Sequence, residues 1–162
     1  MSAALLSVHV LAVVLTIGPV TVAASMFPRF ARQAAAEQAV AGGSAPRTVL
    51  MVLNRICRVY AAVALFVPVF GLATAASLGV LTDPWIIISV GLTVIAALLL
   101  TTRILPAQRH FLEVSTGHES TGDSSSADAL AARLGATTGM FGLLWVAVTV
   151  LMILRPGSTT GV

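Results

Sequence analysis

The apolar positions of this chain do not alternate, nor do they trace one stripe of a helix; they come in long, nearly unbroken runs. The first run, Ser2 to Phe27, holds no acidic residue and no Arg, and His9 is its only ionisable side chain. At about 1.5 Å per residue, a helix of that length crosses a hydrocarbon core about 30 Å thick. Three similar runs follow, so the pattern predicts membrane-spanning helices over residues 3–27, 57–81, 84–105 and 134–154. The implied fold class is all-α, a polytopic four-transmembrane-helix bundle in one domain over residues 1–162.

The breaks between runs refine this picture. Gly18-Pro19 and Pro68 lie inside helices one and two, where a missing backbone donor predicts kinks. Thr16 and Thr21 are placed to re-satisfy the carbonyls freed in helix one. Beyond Pro28 the chain is Ala-rich and helix-favouring until Gly42-Gly43-Ser44 breaks it. Thr82-Asp83-Pro84 reads as a tight turn, with Thr82 or Asp83 capping the third helix and Trp85 at the membrane boundary. Residues 115–126 read as a flexible cytoplasmic loop, and 156–162 as a disordered tail. Gly71, Ala75 and Gly79, and then Gly135, Gly139 and Gly142, form tracks of small residues along which another helix approaches closely.

Composition agrees: 57% of residues are hydrophobic and 9% charged, well below the quarter usual in soluble domains. All of the basic residues are Arg. Arg29, Arg32, Arg47, Arg55 and Arg58 flank the first connection, and Arg103, Arg109 and Arg133 the third; Arg155 alone falls on the other side. That asymmetry predicts an N-out/C-out topology. A nucleic-acid reader would gather its Arg on a soluble face, so no nucleic-acid partner is expected. A lone Cys57 excludes an internal disulfide and any cysteine-based metal site. Val22–Ser25 resembles a signal-peptidase site, but the basic n-region is missing and the apolar run is long, so a retained anchor is expected.

Candidate chemistry is sparse. His9 lies about two turns into helix one, and a neutral imidazole in a membrane binds haem iron or copper, relays protons, or hydrogen-bonds a neighbouring helix. His110 and His118 fall in the inner loop, so no second intramembrane His completes a bis-His haem site. Met26, Met51 and Met140 supply a copper site equally poorly. Asn54, Arg55, Arg58 and Tyr60 form a second cluster at inner headgroup level. With Arg29, Arg32 and Arg103 it makes a candidate surface for anionic lipid or an acidic partner, or else it marks topology with snorkelling side chains. Glu113, Glu119, Asp123 and Asp128 share the inner loop with the two histidines, where a solvated loop is the plainer reading. No catalytic motif occurs, and no carboxylate lies within a span, so no catalytic residue is assigned.

The stretch Val8-His9-Val10-Leu11-Ala12-Val13-Val14, with Gly18 following, resembles the opening of small four-helix bacterial membrane proteins grouped loosely around the copper-resistance protein D domain. The resemblance implies residence in the bacterial inner membrane. It also implies copper or haem chemistry at His9, without the further intramembrane His and Lys that haem-linked catalytic members use. The leading expectation is a non-catalytic accessory or stabilising subunit of a larger inner-membrane complex, respiratory or lipid-transporting. Its partners would be lipids and other integral membrane subunits, with no resident cofactor. The alternatives are a haem- or copper-handling protein using His9, and an anionic-lipid-binding or transport element using the inner Arg cluster.

Overall fold

The structure, a computed structural model, describes residues 2–38, 45–114 and 124–157. Among these residues there are helices and no strands: α1 (Ser2–Gln38), α2 (Ala45–Val63), α3 (Phe66–Leu78), α4 (Pro84–Leu99), a π-helical turn (Leu100–Ile104), α5 (Leu105–Val114) and α6 (Ser124–Leu154). They assemble into four segments long and apolar enough to cross a membrane: Ala3–Ala34, Thr48–Leu78, Pro84–Glu113 and Ala129–Leu154. The all-α four-helix architecture is therefore as expected. At the Arg-rich end the helices run further than the apolar runs do, because Ala-rich and amphipathic sequence there continues the helical hydrogen bonding past the greasy core. Helix α6 starts at Ser124, so residues 124–126 belong to it and not to the preceding loop. The rest of that loop, the Gly42–Ser44 break and the tail beyond Gly157 lie outside the described residues.

Four prolines have three outcomes. Helix α1 passes unbroken through Pro19 and Pro28. The Thr16 hydroxyl donates to the Ala12 carbonyl and not to that of Leu15, the one Pro19 leaves without its usual donor. In span two the helix is interrupted at Ala64-Leu65, one turn before Pro68. The pyrrolidine ring crowds the carbonyl four residues earlier, and that carbonyl, on Ala64, instead accepts a tightened bond from Val67 N–H at 3.1 Å. Before Pro106 the ladder widens to a π-turn, in which Leu105 N–H reaches the Leu100 carbonyl. The segment then continues as α5, past its expected end at residue 105.

Helix α1 is the hub, packing on α2, α3 and α6; α4 packs on α6, and α5 returns to α2. The spatial order of the spans is thus two, one, four, three, with the ring closed between spans two and three at the Arg-rich end. At the other end α3 and α4 touch only sparsely, and a cleft opens between them. The main core lies in the Arg-rich half and joins Ala24, Phe27, Leu50, Cys57, Ile104 and Phe141. Phe27 meets Phe111 edge-to-face at 6.2 Å. A smaller core of Ala75, Val80, Trp85 and Ile86 sits under the α3–α4 turn.

That turn corrects two expectations. Gly79 is no packing contact: it holds φ +70° at the C-terminus of α3, its N–H and that of Val80 closing on the carbonyls of Ala76 and Ala75. Asp83 occupies the N-cap position of α4 without a side-chain cap. Its carboxylate accepts instead from Trp85 Nε1 at 3.1 Å. The Arg155 guanidinium lies 5.7 Å from the centre of the same indole, and Arg155 itself adopts φ 43° where α6 ends.

Candidate functional site

His9 is buried on the face of α1 that meets α3, and its Nδ1 lies 3.1 Å from the Val67 carbonyl oxygen. A carbonyl only accepts, so Nδ1 carries the proton and, in the neutral ring, Nε2 keeps a free lone pair. The ring rests against Gly71, where an added Cβ would come within 2.9 Å of His9 Cε1. Gly71 is therefore the seat of the imidazole, a closer assignment than a generic small-residue contact. The histidine stands at the edge of a cleft of about 310 Å³ between α3 and α4, backed by α6. Its wall is almost wholly apolar, with Ser89 and Trp145 among the lining residues. Among the described residues no group of three or more His, Cys, Asp or Glu comes together to hold a metal ion.

The Arg cluster divides. Asn54 is buried and not part of a surface: its amide donates to Gln108 Oε1 at 3.0 Å, and its own oxygen accepts from Arg58 at 3.0 Å. Gln108, fully buried on α5, also reaches Cys57 Sγ at 3.7 Å. This network ties span two to span three in the Arg-rich half, so Asn54 serves packing and anchors Arg58. Arg55 and Arg103 are exposed on α2 and the π-turn. Arg29 and Arg32 separate from both and line a shallow groove of about 630 Å³ between α1 and α6, with Gly135, Gly139 and Gly142 along its other wall. A Cβ built on any of these three glycines meets nothing within 4 Å. The glycine track thus borders an open groove, with α1 across it.

Gln108, Ser89 and Trp145 were not singled out from sequence. Gln108 was findable, since Ile104, Gln108 and Phe111 share one face of an amphipathic segment and a lone polar residue there calls for a buried partner. Ser89 and Trp145 sit in apolar runs with no local signal. His110 is exposed, and His118, Glu119 and Asp123 lie outside the described residues, as does the side chain of Asp128. Compared with protein-family profiles, with curated proteins and with solved structures, the chain matches none.

Proposed function

We propose that this multi-pass membrane protein is a non-catalytic accessory subunit of a larger assembly, respiratory or lipid-transporting, in a bacterial inner membrane. Both ends would lie outside and the Arg-rich end inside. The observation that supports it is the glycine track Gly135, Gly139 and Gly142, which lines an open groove beside α1 and has nothing within 4 Å of a Cβ built at any of the three. Small-residue tracks let helix backbones approach closely in lipid, where no hydrophobic force drives helices together. A track open along a groove is suited to a transmembrane helix of another subunit. Arg29 and Arg32 at its inner end suit an acidic group on that subunit or on a lipid bound with it.

The test is native mass in mild detergent, comparing wild type with Gly139→Leu. Because Gly139 is exposed and a Cβ built there meets nothing within 4 Å, a side chain at that position projects into the open groove, and the variant should keep wild-type helicity and thermal stability. It should nevertheless lose the large-complex fraction. A wild-type protein that runs as a single chain plus detergent, with the variant indistinguishable from it, overturns the proposal.

A further inference from the structure

In lipid-facing helices, hydroxyls ordinarily donate to a carbonyl one turn back, and this chain follows the habit. Thr74, Thr93, Thr101 and Thr149 bond the carbonyls of Phe70, Ser89, Ala97 and Trp145. Ser89 does not. Its residue is 1% exposed, its Oγ has no partner, and the indole Nε1–H of Trp145 is likewise buried and unpartnered. A buried donor left without an acceptor forfeits its hydration with nothing in return. Both residues line the cleft between α3 and α4, with His9 at its edge. Two unmet donors beside an apolar space fit a ligand that is itself apolar and presents oxygen acceptors.

Depth narrows the class. At about 1.5 Å per residue, Ser89 lies about 8 Å along the helix from Pro84, and Trp145 about 14 Å from Leu154. Both levels are inside the hydrocarbon, deeper than the glycerol-ester carbonyls of a phospholipid at the interface. The cleft is also bounded by residues on the lipid-facing surface, Leu72, Val94 and Leu98 among them, which are exposed. A guest therefore enters from the bilayer and can leave an alkyl tail there. We infer that this cleft binds a quinone-type lipid, a flat apolar ring whose carbonyl oxygens accept from Ser89 and Trp145. The lone pair on His9 Nε2 is then available to the hydroxyl of the reduced form.

Full-length protein in lipid nanodiscs, titrated with a short-tailed quinone while tryptophan fluorescence is read, tests this. Saturable quenching is expected. Ser89→Ala should weaken it about five- to tenfold, the worth of one hydrogen bond. Ala97→Phe, on the exposed rim, should abolish it without changing thermal stability, and Ser77→Ala, on the far side of α3, should leave it unchanged. Non-saturating quenching equal in all variants overturns the inference. So does equal competition by a ring-free alkyl ester, which would assign the cleft to acyl lipid. A Soret band or stoichiometric copper in the purified protein, lost on His9→Ala, would assign His9 to a metal centre and overturn it as well.

Discussion

Asn54 shows how far one polar residue inside lipid can determine packing. Its amide joins Gln108 on span three, and its oxygen holds the Arg58 guanidinium. Removing either partner of the Asn54–Gln108 bond strands the other in a buried site. Measured couplings between polar partners in membrane helices average about 0.6 kcal/mol and reach about 1.7. A double-mutant cycle of Asn54→Ala and Gln108→Ala, read by denaturant titration in detergent, should fall in the upper part of that range because both residues are buried. Independent, additive losses would show that the bond contributes nothing. The His9–Gly71 contact makes a second cycle. Gly71→Ala places a methyl 2.9 Å from the imidazole, so the ring must leave Val67, at a cost of about 1 kcal/mol. In a His9→Ala background the same substitution should cost nothing, and a cost that persists there would place the conflict elsewhere.

Among the helices, hydropathy does not say which face turns inward, because nearly every position is apolar. The buried face of α1 is His9, Thr16, Val20, Ala23, Ala24, Phe27, Ala31 and Ala34, whereas Val10, Leu11, Val14, Leu15 and Val22 are exposed. Apart from Val20 and Phe27, small and polar residues face the neighbouring helices and bulky aliphatics face lipid, since close backbone approach, not burial from water, is what stabilises contact there. The number of spans, the turn at Pro84 and the interruption of span two near Pro68 were legible from run length and proline placement. The passage of α1 unbroken through Pro19 and Pro28 and the roles of the glycines were not, because each depends on packing against a neighbouring helix or on geometry beyond the local sequence. Glycines sort by that geometry. Gly79→Ala, at φ +70°, should destabilise by about 1–2 kcal/mol. Gly139→Ala, with open space around it, should be neutral or stabilising by up to about 1 kcal/mol. Thermal midpoints followed by tryptophan fluorescence separate the two, and equal shifts would refute the distinction.

At the scale of the whole molecule, the ring of spans is closed at one end by Asn54, Gln108 and Cys57 and parted at the other by the cleft beside His9. The ends also differ in charge. The closed end carries the arginines of α1, α2, the π-turn, α5 and the start of α6, and the parted end carries Arg155, stacked on Trp85. Basic residues near span ends are retained on the cytoplasmic face, so the closed, polar-tied end should face the cytoplasm and the cleft should open in the outer half of the bilayer. Thiol labelling reads this directly once the native thiol is removed by Cys57→Ser, which keeps an acceptor for Gln108. In that background Gln33→Cys and Gly157→Cys place single thiols at exposed positions on opposite ends. In intact spheroplasts a membrane-impermeant maleimide should modify position 157 and spare position 33 until the membrane is opened. The reverse pattern would turn the cleft towards the inner leaflet. A quinone-type guest would then reach it from the cytoplasmic side, and the arginine asymmetry would need a cause other than orientation.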